Sequence, residues 1–571
     1  MALDRARRSV LSWFAAGGAA GVAGAAAWPT RGFSSPLAPD LIVVNARVYT
    51  VDDAQPRAEA FAVRGERFVA VGSTADIRAM AGPSTQVIDA GGLTVTPGFI
   101  DCHVHVDGEV VLYEVCVGNP FDVEFVTIAS IIEKLKAKAA QTAPGFWVEG
   151  FFFDDTKLKD GRQLNIHDLD QISTTLPVAV RHRGGHTMFC NTKAFELAGV
   201  TRDTKAPPGG TFDRFPDGSL NGRITDNAMA VIEKGAKLPV FSAAEQARRA
   251  REGQAHMSAM FARYGLTSVC HEGGSLPTLF DIRDEGRLKH RVSYEAYGDV
   301  LESLLKAGVR SGLGDEWIRI GATAEHTADG SFSERTMALS TPYPNSKTGY
   351  RGNVTENQEE LNAFVERVHR AGFRVNCHAN GDVAIDHVLT AYERAAKLVP
   401  TKDVRWKITH CTLLNADLIA RMKALDVTPA LFSTYAYYNG DKFHFYGEPL
   451  MRHIMPYRDL LDAGIKACAG SDFDPGPFAP MMALQAMTTR KGWNGEVWGG
   501  NQRISMDEAL RVHTLNGAWD TKEETLKGSI TPGKLADFVM LSDDPHTVDP
   551  DRVRTIKVVR TVVGGVTRYQ A

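Results

Sequence analysis

From Asp40 the chain alternates short apolar and polar positions through LIVVNARVYTVD, AEAFAVRGERFVAVG and TQVIDAGGLTVTPG, broken at Asp52-Asp53, Arg64-Gly65 and Gly91-Gly92. A two-residue period with such turns predicts antiparallel strands. The pattern returns near the other end, in GKLADFVML from Gly533 and in IKVVRTVVGGVTRY. Each end is short for a stable sheet and leaves strand edges unpaired. One β-sandwich assembled from both termini is therefore expected, with the rest of the chain inserted between its halves.

Between the ends the period changes. Short apolar runs closing on polar or small residues occupy 99–105, 266–271, 291–297, 317–325, 373–378, 406–410, 427–432 and 465–472, with helical stretches such as 358–371, 384–397 and 416–424 between them. That alternation predicts an α/β chain, a (β/α)8 TIM barrel with a composite β-sandwich domain formed from both termini. The stretch from about 109 to 250 is too long for one connection and carries its own strand-like run at 178–182, so an insertion after the first barrel strand is expected. The organisation read this way is a signal over 1–33, sandwich parts over 40–95 and 526–571, and a barrel over 96–525.

Composition narrows the function classes. With 44% hydrophobic and 23% charged residues the chain is ordinary for a packed protein. Its 64 Lys plus Arg against 68 Asp plus Glu lack the basic excess that nucleic-acid binding needs. Seven cysteines in 571 residues do not make a disulfide scaffold. Four of them, Cys102, Cys270, Cys377 and Cys411, adjoin His103, His271, His378 and His410. Neighbours on a strand face opposite ways, so these thiols are read as packing rather than as ligands.

Arg7-Arg8-Ser9-Val10-Leu11, an Ala/Gly-rich apolar run and the small residues Ala25-Ala26-Ala27 are expected to form a cleavable twin-arginine export signal. A retained anchor is the alternative, disfavoured by Gly17, Gly18, Gly21 and Gly24. The mature protein is then periplasmic or secreted, without stable membrane insertion.

The chemical signal lies at strand ends. In Asp101-Cys102-His103-Val104-His105 two imidazoles at i and i+2 share one face and can meet one metal. Four further runs deliver Glu325, His378, His410 and Asp472. Five strands bringing such residues to one rim make a divalent-metal pattern.

These stretches resemble the amidohydrolase superfamily, in the branch that includes N-substituted formamide deformylases. The resemblance is carried by Thr96 to His105, Gly185-His186-Thr187 with Asn191, Ala328-Asp329-Gly330-Ser331, His378-Ala379-Asn380-Gly381-Asp382, Ile408-Thr409-His410, Gly470-Ser471-Asp472 and Gly533 to Asp537, in that order. It implies that His103 and His105 bind one metal, that His378 and His410 bind a second, and that Asp472 binds the first while moving protons. Many relatives carry a bridging carbamylated lysine four residues before the Asp-Gly-Ser, where this chain has Glu325. A carboxylate offers two oxygens and the same charge, so a binuclear centre bridged by Glu325 is expected, with a mononuclear site as the alternative. Two zinc ions are expected, with manganese or iron as alternatives.

The expected activity is metal-dependent hydrolysis of a C–N bond, in an amide, carbamate or related group of a small, aromatic-type substrate, through metal-activated hydroxide. Asp472 and His186 are the expected catalytic groups, and His186, Tyr435 and Tyr437 the substrate contacts. His271-Glu272 is read as a supporting pair, Phe151-Phe152-Phe153 as packing, and Lys442 and Arg452 as solvated or substrate-facing. His326 should face away from Glu325, and His167, His290, His369 and His513 are read as surface or helix residues. The competing readings are a lyase, hydratase or isomerase on the same barrel, and a non-catalytic periplasmic binding protein. Expected partners are a small-molecule substrate and no nucleic acid, with a homo-oligomer left open.

Overall fold

The computed structural model describes residues 38–571 apart from Asp107 and Asn345. The twin-arginine segment lies outside the described residues.

Eight parallel strands form the centre: β1 (Phe99–His105), β2 (Leu266–Glu272), β3 (Arg291–Ala296), β4 (Ile318–Thr323), β5 (Asn376–Ala379), β6 (Lys407–His410), β7 (Thr428–Phe432) and β8 (Cys468–Gly470). Consecutive strands pair from β1 to β4 and from β5 to β8. Two seams join these halves into a ring. The Thr323 amide donates to the Arg374 carbonyl at 2.9 Å, and the Asp472 and His105 amides donate to His103 and Phe473 carbonyls at 2.9 and 2.7 Å. This is a TIM-barrel-type α/β fold. Its strands read as continuous apolar runs because helices cover one face and the packed interior the other.

Three strands are shorter than the apolar runs suggest. β4 stops at Thr323, β5 begins only at Asn376, and β8 covers three residues. The chain leaves the β4 and β8 ladders before Glu325 and Asp472, so both carboxylates sit on irregular backbone above the rim.

The ends of the chain meet in a six-stranded sheet, where Phe538–Leu541 pairs antiparallel with Thr94–Pro97. A four-stranded sheet, with Leu41–Val44 between Ala60–Arg64 and Gln86–Asp89, shares its core. Leu41, Val43, Phe61 and Phe68 from that sheet meet Val48, Val95, Phe538 and Val562 from the other. A bidentate pair ties this unit to the barrel: Arg291 of β3 donates to both Asp537 oxygens, at 2.8 and 3.0 Å, with both side chains buried.

The segment after β1 holds far more sheet than the single run at 178–182. Six strands lie between Val115 and Asp226, and both faces are covered by apolar clusters. The turn Arg183-Gly184-Gly185-His186 projects from this sheet between Val178–His182 and Thr187–Cys190. Gly184 leaves room there for Glu334, whose Oε1 would lie 1.9 Å from a Cβ and would have to shift.

Candidate metal centre

His103 and His105 stand two apart on β1, so both imidazoles face the barrel mouth. Their Nε2 atoms each lie 3.2 Å from Asp472 Oδ1. Glu325 stands between two groups of rings. Its Oε2 is 3.3 Å from His378 Nδ1, 3.2 Å from His410 Nε2 and 3.5 Å from His103 Nε2, while Oε1 is 3.7 Å from His105 Nε2. The facing nitrogens of His378 and His410 are 3.0 Å apart. The six residues named by the sequence for metal binding thus lie together.

The rings are held from behind. Phe432 stacks on His410 at 4.3 Å between centroids, and Tyr435 stacks on Phe432 at 3.7 Å. His378 Nε2 faces the Gly330 carbonyl at 3.2 Å, which leaves Nδ1 toward Glu325. Gly470 lets β8 approach β1: a Cβ there would meet the His103 Cβ at 3.0 Å. His410, Cys411 and Asp472 all adopt left-handed backbone, with φ of 78°, 43° and 53°. Such conformations cost about 1–3 kcal/mol each and collect where a side chain must be aimed.

The electrostatics of the site are those of carboxylates crowded among imidazoles. Burial alone would raise the Asp472 carboxyl, but His410, His103 and His105 outweigh it and hold it well below the usual range. Glu325 behaves alike, with burial overruled by His103, His378 and His410. Burial and the neighbouring His378 bring His410 down to about 4. His105 moves the other way: burial is overcome by Asp472 and Glu272, and its pKa rises well above the ordinary value.

Glu272 is the residue the sequence reading undervalued. Its Oε2 lies 3.5 Å from His103 Nδ1 and accepts the Glu325 amide at 3.1 Å, so it faces the centre. Burial and the adjacent Glu325 charge push its carboxyl up to about 7. The available signal was that β2 also ends in an acidic residue; only one of His271 and Glu272 can face inward, and it is the glutamate. His271 instead is buried with neither ring nitrogen hydrogen-bonded.

Of the expected substrate contacts, Tyr435 donates to Asp472 Oδ2 at 3.2 Å. Tyr437, two residues along the same short helix, points elsewhere, with Arg554 over its ring at 5.1 Å. Residues two apart on a helix do not share a face. His186 reaches the centre from the insertion, its ring centroid 5.1 Å from that of His378. Burial lowers its pKa, but the bond to Asp226 prevails and lifts it to about 9. Glu334 accepts the His186 amide at 3.1 Å.

Other candidates are placed apart. Lys442 is buried against Asp154 at 3.0 Å rather than solvated or substrate-facing. His326 faces Glu356 and stacks on Phe364. His369 lies on the helix Gln358–Arg370 and His513 caps the helix Met506–Val512, and both are buried, as is His290. Phe152 and Phe153 lie in cores, and Phe151 packs on the barrel. Phe151 and Phe152 also line a cavity of about 160 Å³ with Val110, Met229, Gly185 and Asp474, next to the His186 turn.

Cys102, Cys270, Cys377 and Cys411 are free and buried. Cys102 and Cys270 approach Asp520, but Arg374 holds that carboxylate at 2.7 Å.

The sequence profile of one family, described as the amidohydrolase family, matches residues 86–569. An N-substituted formamide deformylase of Arthrobacter pascens is 26% identical over 550 residues, 93% of this chain and 98% of that protein. A putative amidohydrolase, YtcJ of Bacillus subtilis (strain 168), is 27% identical over 549 residues, 92% of this chain and 98% of its own. An uncharacterised metal-dependent hydrolase from Pyrococcus horikoshii OT3 shares the fold, with a TM-score of 0.68, 22% identity, and coverage of 90% of this chain and 99% of that one.

Proposed function

The chain belongs to the amidohydrolase family, and from that premise we propose a metal-dependent hydrolase that cleaves a C–N bond, in an amide, carbamate or related group of a small substrate. The observation that carries this reading is the set of four imidazoles converging on Glu325 and Asp472. The donors fit a divalent cation. Glu325 Oε2 is buried with no hydrogen-bond partner although three ring nitrogens surround it, as expected of atoms aimed at a common ion. Nitrogen and carboxylate donors of this kind suit zinc, with manganese or iron as alternatives.

His103, His105 and Asp472 would hold one ion, His378 and His410 a second, with Glu325 shared between them. A cation bound there supplies Lewis acidity, polarising a carbonyl and lowering the pKa of water from about 15.7 toward 7. The remaining work falls to the side chains. Asp472, kept ionised by its histidines, accepts a proton from the attacking water and returns it to the departing nitrogen. Tyr435 orients that carboxylate through Oδ2. His186 stands beside His378 to donate toward the carbonyl oxygen as charge develops on it. The cavity walled by Val110, Phe151, Phe152 and Met229 would seat an apolar or aromatic substituent.

We read 40–95 with 526–571 as one sandwich, 96–525 as the barrel and about 109–250 as its insertion. Arg7-Arg8 supports twin-arginine export to the periplasm or beyond. Among the described residues no helix is long and apolar enough to cross a membrane.

The test joins metal analysis to a substrate panel containing 4-nitroformanilide, 4-nitroacetanilide, carbamates, esters and lactams. The expected result is about two zinc ions per chain, as in two-metal hydrolytic sites, and release of 4-nitroaniline. One ion with full activity overturns the binuclear arrangement. Metal-loaded protein that is silent on the whole panel overturns the hydrolase reading.

A further inference from the structure

We infer that Asp226 is a positioning residue for His186, fixing the imidazole beside the metal centre through a hydrogen-bond chain anchored on the barrel. The inference uses the hydrolase reading only for its kinetic test.

Asp226 is the last residue of the insertion strand Leu220–Asp226. Its side chain is 1% exposed, and its φ of 46° is left-handed, a conformation that a branched or bulky residue would resist. It grips His186 twice. Its backbone amide donates to the His186 carbonyl at 2.9 Å, and its Oδ1 accepts from His186 Nδ1 at 2.8 Å.

Asp226 Oδ1 takes the acceptor's part, so the proton of this pair sits on Nδ1. Among the described residues no protein group hydrogen-bonds Nε2. An asparagine amide could turn either end to the ring and would not hold the Nδ1–H in this way.

The second oxygen ties the pair to the barrel. Asp226 Oδ2 accepts from Asn353 Nδ2 at 2.5 Å, and the Asn353 carbonyl accepts the Gly330 amide at 3.2 Å. Gly330 is the residue whose carbonyl faces His378 Nε2 at 3.2 Å. One loop therefore sets the orientation of His378 and, through Asn353 and Asp226, that of His186. A buried carboxylate placed only to fill space would be unfavourable, because its charge has left water. Here both oxygens are engaged in aiming one ring.

The test uses the full-length, zinc-loaded protein labelled with ¹⁵N-histidine. The His186 Nδ1–H resonance is identified by its loss in His186→Ala, and it should shift or vanish in Asp226→Asn. On 4-nitroformanilide, Asp226→Asn should lower kcat about 10- to 100-fold, the usual cost of losing a residue that orients a site group. KM and zinc content should hold. In a His186→Ala background the same substitution should cost less than about twofold, because coupled groups are non-additive. An unchanged Nδ1–H resonance in Asp226→Asn overturns the inference, as does an equal loss of kcat in the His186→Ala background. If the wild-type protein turns over nothing, the hydrolase reading has failed, and the resonance alone decides the role of Asp226.

Discussion

Asp472 meets three demands at one position: burial, left-handed backbone, and a carboxylate facing His103, His105 and Tyr435. Asp472→Asn isolates the third. Asparagine tolerates positive φ and keeps the volume, so the fold and the bound metal should survive. It cannot take a proton from water, so kcat should fall by at least about 10²-fold. Turnover and metal content on the same sample check this, and unchanged turnover would refute the proton-transfer role. Five of the six ligand-type residues were legible because each closes an apolar run, and His103 because it stands two before His105 on one strand face, patterns that need only local sequence. Glu272 was obscured by His271 beside it, which offers a competing ligand type. Asp226 was hidden because its partner His186 lies 40 residues away and no spacing rule joins two turns of an insertion. Tyr435 and Tyr437 could not be separated without the start of their helix, which decides which face each occupies.

At the scale of elements, the Arg291–Asp537 pair fastens β3 to the strand that begins at Phe538. The Gly-Lys-Leu-Ala-Asp stretch that marks the C-terminal resemblance thus ends in a structural clamp. Asp537→Ala removes the bidentate partner of the buried Arg291 guanidinium and leaves it only Glu66 at 3.7 Å and the Glu316 carbonyl at 2.9 Å, which should cost about 1.5–3 kcal/mol. Thermal unfolding should show a clearly lowered midpoint with the metal content intact; an unchanged midpoint would show that Glu66 and the Glu316 carbonyl suffice to hold the guanidinium. Eight barrel strands could be read from sequence because parallel strands buried on both faces give unbroken apolar runs. Five of the six insertion strands could not. Runs such as LNGRITD in Leu220–Asp226 mix glycine and polar residues because that strand is only partly buried, which blurs the period.

For the whole molecule, the expected ions join five barrel strands that are otherwise far apart in sequence. Ligand binding to the native state alone stabilises by about 4 kcal/mol at 1,000 times Kd. Chelation should therefore lower the unfolding temperature as well as abolish turnover, and zinc should restore both. Lost activity with an unmoved unfolding temperature would mean that the barrel closes without help from the centre. The pairing of Thr94–Pro97 with Phe538–Leu541 has a different consequence, one of time. Some 441 residues separate Pro97 from Phe538, and at about 5–20 residues per second the ribosome needs roughly 20–90 s to make them. Throughout that interval the N-terminal strand waits with an open edge, the kind of surface on which nascent chains aggregate. Loss of the last strands by premature termination would leave that edge open permanently, and such a chain becomes a client for chaperones and proteases.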